Sequence, residues 1–459
     1  MVSTKTAEEH STANNKLITN LDVTSIRRLI IVGVVSVLAL LIAIIVGATG
    51  PTVYDSQVFN LYQCPNNSHI YNVDTCQGIP LTNNTQWEQV MPTVSSLSRF
   101  WSLQMTPYGN NLTSSVYTTI DIQVLIEVEV NANWTIISNE TVNQIISCDS
   151  GYSKCNTITL IDDEKLDYNI YVVTVYLVNG TNIVGDIDFT AWKAHDQFSS
   201  FEIGTHLSLM IVSCVAVFVY LIAMRHYSLF VWTFEQKFLF LLFFVLILSN
   251  NPFYGLQYIN DGWFFPFLNA FFSICFLSTF SLYSLFVLDR IRLEQSKFQM
   301  NMATIAKFII VGIFALLGII LFTWLNIRDR KDPILGPAGS ASGITGLLYL
   351  VATIFIAILL WIILLIIITV PVVQGKKYII TKFAFTAVPI IVYIISIFSG
   401  IFAGTFGPLN PTSLSVCYFN VLNNVFVAVI AYSYWPSSNP FRSQQANSEE
   451  ERLFPPTDL

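Results

Sequence analysis

Charge is scarce in this chain. Of its 459 residues, 22 are Lys or Arg and 29 are Asp or Glu, so 11% are charged, under half of the roughly 25% typical of soluble domains. A surface so poor in charge cannot face water all round, which excludes a soluble globule. Histidine is rarer still: His10, His69, His195, His206 and His226 are the whole set, and none stands at metal-ligand spacing from another. There is no phosphate-binding loop, no HExxH helix and no acid paired with a nucleophile. The sequence therefore points to no catalytic residue, no metal and no cofactor. The net charge of -7 argues against a nucleic-acid partner.

Apolar residues, at 53%, fill the space that charge leaves. About 20 apolar residues cross the hydrocarbon layer as a helix, and eight runs qualify, near 29–48, 207–224, 238–256, 263–288, 308–326, 345–371, 383–404 and 413–434. The first follows Arg27 and Arg28. Its stretch from Leu29 to Val46 is 18 residues, longer than the roughly 7–15 of a secretory signal core, so it reads as an uncleaved anchor. None of the eight runs contains Asp, Glu, Lys or Arg. Ion-coupled pumps and transporters usually carry such a group inside the membrane, which leaves a transporter of an uncharged solute or lipid as a third-placed reading.

Lys and Arg near span ends favour the cytoplasm. Lys5, Lys16, Arg27 and Arg28 precede the first run, and Arg225 and Lys237 follow the second. Arg290, Arg292, Lys297 and Lys307 follow the fourth, Lys376, Lys377 and Lys382 the sixth, and Arg442 and Arg452 the eighth. Both tails, 1–28 and 435–459, are thereby expected in the cytoplasm, with the segment 51–203 on the lumenal or extracellular side. Arg328, Arg330 and Lys331 after the fifth run oppose this pattern, with Asp329 and Asp332 diluting them.

Segment 51–203 holds all the Asn-x-Ser/Thr sequons, at Asn66, Asn83, Asn111, Asn133, Asn139 and Asn179, which are candidate glycosylation sites. It also holds Cys64, Cys76, Cys148 and Cys155, an even set suited to an oxidising compartment. Three pairings are open, and Cys64 with Cys76 and Cys148 with Cys155 are favoured because each closes a short polar loop. Cys214, Cys275 and Cys417 lie in spans as small apolar fillers. From Ile120 to Val130, Ile and Val alternate with Asp121, Gln123, Glu127 and Glu129, broken only at Leu125, a period of two that predicts a half-buried strand. Ile158 to Ile161, Tyr168 to Val178 and Asn182 to Phe189 add shorter strands, and an antiparallel β-sandwich follows. This segment carries a charge of -12 and the cytoplasmic parts +5, so the sandwich suits a basic cargo and the opposite face anionic lipid.

Neutral polar residues do enter the spans. Ser249, Asn250, Asn251 and Pro252 sit well inside the third, where the proline predicts a kink. Asn420, Asn423 and Asn424 share a helix face in the eighth. Amides in lipid need partners, and two readings stand open: interhelical hydrogen bonding with a proline hinge, or the lining of a cavity. Gly400 and Gly404 form a GxxxG pair suited to helix packing. In the C-terminal tail, Asn439-Pro440-Phe441 and the stretch from Glu449 to Leu453 and Phe454 look like sorting signals for trafficking adaptors, beside the simpler reading of a solvated tail.

One anchor, a disulfide-bearing β-domain and seven further spans is an uncommon order. With LSNNPFYGLQYINDGWFFPFLNAFF (Leu248 to Phe272), LDRIR (Leu288 to Arg292) and AYSYWP (Ala431 to Pro436), it resembles the Wntless-like family of seven-helix membrane proteins with a lumenal GOLD-type β-domain. The chain is shorter than Wntless, and its layout points towards the receptor-like relatives. The fold expected is an α-helical polytopic membrane protein with eight transmembrane helices: an anchor at 29–48, a β-sandwich at 51–203 and a seven-helix, receptor-like bundle at 207–434. The resemblance implies a non-enzymatic receptor that sorts secretory cargo, lipid-modified cargo included, in Golgi, endosome or plasma membrane. The bundle would then offer a cavity for an apolar group. The competing expectation is a cell-surface signalling or toxin-type receptor.

Overall fold

The computed structural model describes residues 19–20, 26–61, 74–77, 81, 85–91, 95–98, 101–130, 133–151, 153–163, 168, 170–178, 183–260, 262–293, 301–331, 342–374, 377–402 and 412–436. Among them, eight helices are long and apolar enough to cross a membrane. An antiparallel β-domain lies between the first helix and the second. This is the polytopic fold expected from the distribution of apolar runs.

The first helix, α1 (Ile26–Ala48), leads to β1 (Tyr54–Asn60), β2 (Thr85–Val90), β3 (Trp101–Gly109), β4 (Val116–Val130), β5 (Asn133–Cys148), β6 (Ile158–Asp163), β7 (Tyr171–Leu177) and β8 (Val184–Ala194). They form two four-stranded sheets, in the orders β1-β8-β3-β6 and β2-β7-β4-β5. In β4 the expected alternation holds: Ile120, Ile122, Val124 and Val128 are buried, whereas Asp121, Gln123 and Glu127 are half-buried and Glu129 exposed. The register against β5 shifts between Ile126 and Glu127, a bulge that bends a long strand pair. Two aromatic stacks bridge the sheets, Trp87 on Phe189 with ring centroids 3.9 Å apart and Trp101 on Tyr171 at 5.1 Å. Cys148, at the end of β5, is bonded to Cys155, which precedes β6 of the other sheet, as the loop spacing favours. Cys76 is also held in a disulfide; Cys64, its favoured partner, lies outside the described residues.

The bundle comprises α2 (Asp196–Met224), α3 (Phe234–Ser249), α4 (Phe264–Leu293), α5 (Met302–Lys331), α6 (Ser342–Val373), α7 (Lys377–Phe402) and α8 (Ser413–Ser433). Two of these start on reciprocal capping boxes, Thr233 with Gln236 on α3 and Thr412 with Ser415 on α8, which satisfy amide donors that lipid cannot. The core of the bundle is aromatic where α4, α7 and α8 meet: Phe280 lies 4.2 Å from Tyr393 and 4.7 Å from Phe426, centroid to centroid. Gly400 on α7 makes room for Phe419 of α8, whose Cζ would be 2.5 Å from any added Cβ. The packing reading of that glycine fits this contact; Gly404 lies outside the described residues.

Two boundaries differ from expectation. The second membrane helix begins at Asp196 rather than near 207, because Asp196 and Glu202 interrupt the apolar run without interrupting the helix. Asp196 sits in the first turn, where an acid is favoured, and the His195 side chain accepts from the Gln197 amide. The third helix stops instead of kinking. Asn250 caps α3, Asn251 adopts a left-handed φ of 45°, which Asn tolerates better than most residues, and Pro252 follows without a donor to continue the ladder. The chain then crosses in a 3-10 turn, Tyr254–Tyr258.

α1 lies antiparallel on α8 and is clasped at both ends. At one end Ser413 Oγ donates to the Pro51 carbonyl at 2.5 Å, and a Cβ on Gly47 would stand 2.6 Å from Leu414 Cα. At the other, the Asn20 amide donates to the Trp435 carbonyl at 2.7 Å, and Thr19 bridges to Pro436. Gly47→Val should force these helices apart and cost about 1–3 kcal/mol, read as a lower unfolding midpoint of the purified protein. Gly33→Val, with nothing within 4 Å of its Cβ, should leave that midpoint unchanged.

Candidate functional site

A polar ladder runs down α2 from the sandwich into the bundle. At its top, the Asp196 carboxylate accepts from Ser98 Oγ at 2.6 Å and Ser95 Oγ at 3.0 Å, while Ser199 Oγ donates to the Leu97 carbonyl at 2.8 Å. With β8 ending at Ala194 and α2 starting at Asp196, only His195 separates sheet from helix. The sandwich is therefore bolted to the bundle, not tethered to it.

Below the junction, Glu202 and His206 occupy one face, four residues apart, and both are buried. Tyr258 Oη donates to the Glu202 carboxylate at 3.3 Å. The His206 ring stacks on Tyr254, with centroids 4.1 Å apart, and its Nδ1 lies 3.1 Å from the Asn250 carbonyl oxygen. A carbonyl can only accept, so Nδ1 is the protonated nitrogen in this arrangement.

Two turns further down, Asn250 and Asn424 face each other. Asn250 Nδ2 donates to Ser213 Oγ at 2.7 Å and to Asn424 Oδ1 at 3.3 Å; Asn424 Nδ2 returns a bond to Asn250 Oδ1 at 3.1 Å. Ser213 Oγ also contacts Asn424 Oδ1 at 2.7 Å. One knot thus ties α2, α3 and α8. The remaining expected amides go elsewhere. Asn251 Nδ2 donates to Asn269 Oδ1 of α4 at 3.2 Å, Asn423 accepts from Tyr393 Oη of α7 at 2.7 Å, and Asn420 Nδ2 returns to the Val416 carbonyl of its own helix at 2.8 Å. Ser249 is buried in the last turn of α3. Asn250, Asn251, Asn423 and Asn424 thus bond to residues of neighbouring helices, Asn420 bonds within its own, and Pro252 follows the end of α3, where the sequence predicts a kink.

The other end of the bundle carries a second cluster that the apolar runs hid. Glu235 on α3 pairs with Arg290 of α4 at 3.2 Å and Lys382 of α7 at 3.4 Å. Asp289 of α4 pairs with Lys307 of α5 at 2.6 Å and with Arg292 at 2.7 Å. Lys307 is 2% exposed. The sequence places these residues at or beyond span ends; the helices run further, burying Glu235 and Lys307 and leaving their partners half-buried.

Of the candidate glycosylation sites, Asn111 sits exposed in the turn between β3 and β4 with a φ of 47°, and Asn133 and Asn139 are exposed on β5. Asn66, Asn83 and Asn179 lie outside the described residues, as do Asn439, Pro440, Phe441, Glu449, Leu453 and Phe454 of the proposed sorting signals.

An extramembrane sandwich bolted to a seven-helix bundle, behind a separate anchor, defines a class of multi-pass membrane protein. Residues 195–438 match the Wntless-like transmembrane domain, and the chain belongs to the Wntless-like family. It is 23% identical over 435 residues to Transmembrane protein 181 of Homo sapiens, covering 91% of this chain and 88% of that protein.

Two predictions follow from the two clusters. A double-mutant cycle between Asn250→Leu and Asn424→Leu should return a coupling of about 1 kcal/mol, because each amide is the other's partner. Glu235→Gln leaves two cations without their carboxylate and should destabilise by about 3–5 kcal/mol. Thermal unfolding in detergent, with Lys237→Gln on the exposed face as a control, measures both effects.

Proposed function

We propose that this chain is a non-enzymatic receptor that binds secretory protein cargo through its β-sandwich on the lumenal side and sorts it between Golgi, endosome and plasma membrane. The observation that carries the reading is the rigid junction. Asp196 and Ser199 hold the loop before β3, and the same helix then presents Glu202 to the 3-10 turn, His206 to the end of α3 and Ser213 to α3 and α8. A protein held by the sandwich would thereby bias the packing of the bundle with no flexible linker to absorb the motion. Family membership supports a receptor or sorting role of this kind. Lipid-modified cargo fits the same reading, with the apolar moiety meeting the bundle while the sandwich holds the protein. The tails, with Asn439 to Phe441 and Glu449 to Phe454, would lie in the cytoplasm for trafficking adaptors.

A second reading, a surface receptor that signals, is favoured by the Glu235–Arg290–Lys382 cluster. Three helices meet there through charges that a shift in packing would separate. Location distinguishes the two. Sorting predicts an intracellular pool that collapses when Asn439, Phe441 and Leu453 are replaced by Ala, together with retention of a captured lumenal protein in cells lacking the receptor. Proximity labelling from the sandwich side identifies that protein. Permanent surface residence, ligand-evoked signalling and normal secretion would instead establish the signalling receptor.

A further inference from the structure

The outermost strand of the larger exposed sheet face is built unlike a guarded edge. β5 closes the order β2-β7-β4-β5 and has β4 on one side only. Its far end is covered: the Ser147 amide donates to Asn156 Oδ1 at 2.6 Å, Asn156 Nδ2 donates to the Ile145 carbonyl at 3.0 Å, and the Asn156 amide donates to the Ser147 carbonyl at 3.0 Å. These bonds fix the phase of the strand. In an antiparallel ladder alternate residues turn both backbone groups to the same side, so those of Asn143, Thr141 and Asn139 also point away from β4. Among the described residues nothing pairs with them. The stretch contains no proline or lysine, the residues that usually blunt such edges.

The side chains that accompany this edge say what it would accept. Past the bulge, Trp134 is 52% and Ile136 56% exposed. In register beside them on β4 stand Glu129, opposite Trp134, and Glu127, opposite Ile136. Glu140 lies exposed on β5 itself, and Asp149 is exposed just past its end. Trp134 and Ile136 thus stand beside Glu129 and Glu127 on one face, and no Lys or Arg lies on β4 or β5. A second copy of β5 would bring no Lys or Arg to meet Glu127 and Glu129, so self-pairing lacks the charge complement that a basic strand supplies.

We propose that the β5 edge takes up an extended, basic segment of another protein as an added strand. Main-chain bonds at Asn139, Thr141 and Asn143 would give the affinity, Trp134 and Ile136 would bury its apolar side chains, and Glu127 and Glu129 would meet its Lys or Arg. The proposal rests on the receptor reading of the sandwich and names the chemistry of what it holds.

The edge allows a clean test, since Thr141 turns its amide outward and also completes the Asn139 sequon. Thr141→Ala removes the sequon and keeps the donor; Thr141→Pro removes both, at an edge position where proline is tolerated. The full-length protein, enzymatically deglycosylated and in lipid nanodiscs, is titrated with a labelled short peptide of alternating lysine and valine and with its glutamate–valine counterpart. The expected result is binding of the lysine peptide with protection of the Asn139, Thr141 and Asn143 amides from hydrogen exchange, and at least about tenfold weaker binding of the glutamate peptide. Thr141→Ala should match the parent, while Thr141→Pro and Glu127→Lys/Glu129→Lys each lose about tenfold or more. Equal binding of both peptides, or undiminished binding to Thr141→Pro, overturns the proposal. So does concentration-dependent dimerisation that Thr141→Pro abolishes, which assigns the edge to a second copy. If a captured lumenal protein stays bound to Thr141→Pro, the edge assignment fails while the receptor reading stands. If the peptide binds but proximity labelling returns no lumenal protein, the receptor reading fails and the edge stands.

Discussion

An amide buried in hydrocarbon must find its hydrogen-bond partners within the protein. In this chain Asn250 and Asn424 meet that demand by bonding to each other and to Ser213. The knot constrains much around it. Asn250 can face α8 because α3 stops there, and α3 stops because Asn251 accepts a left-handed backbone and Pro252 offers no donor. The Asn250 carbonyl freed at the helix end is in turn the group that meets His206. Composition, helix termination and interhelical contact are one arrangement seen at three scales.

Charge is rationed by the same logic. A carboxylate or ammonium costs too much to leave alone between helices, so the ionised groups gather at the two ends, each with a named partner. At the sandwich end Asp196 rests on serine hydroxyls and Glu202 on a tyrosine. At the opposite end each of two carboxylates holds two cations, and Phe234, Phe286 and Tyr434 lend their ring faces to Arg290, Lys307 and Lys382. Between the two layers the bundle relies on aromatic packing and neutral amides. Among the described residues no chain of charges joins the two layers.

Much of the fold was legible in the sequence because the membrane imposes long, uniform signals. Apolar runs located every span, and the two-residue period from Ile120 to Val130 located the central strand of the sandwich. The Cys148–Cys155 pairing was legible as well, through its short loop. What escaped was whatever depends on neighbours. Glu202 fell within the segment assigned to the β-domain and His206 just ahead of the second apolar run, because hydropathy cannot tell a charge in water from one facing a tyrosine in the folded protein. Their four-residue spacing was the available clue. Pro252 was read as a kink because sequence shows the missing donor but not the left-handed Asn251 before it. Asn423 shares a face with Asn424 in sequence terms, yet three helices contact that face, and α7 took one amide while α2 and α3 took the other.

The clasp between α1 and α8 has a temporal meaning. A ribosome delivers α1 first and α8 last, so the surface around Gly47 waits through the making of the sandwich and six further helices before its partner exists. Contacts of such sequence separation form late. A chain broken off between α7 and Leu414 has the residues of the sandwich and of six bundle helices, yet lacks the surface on which Gly47 and Pro51 of the anchor end rest.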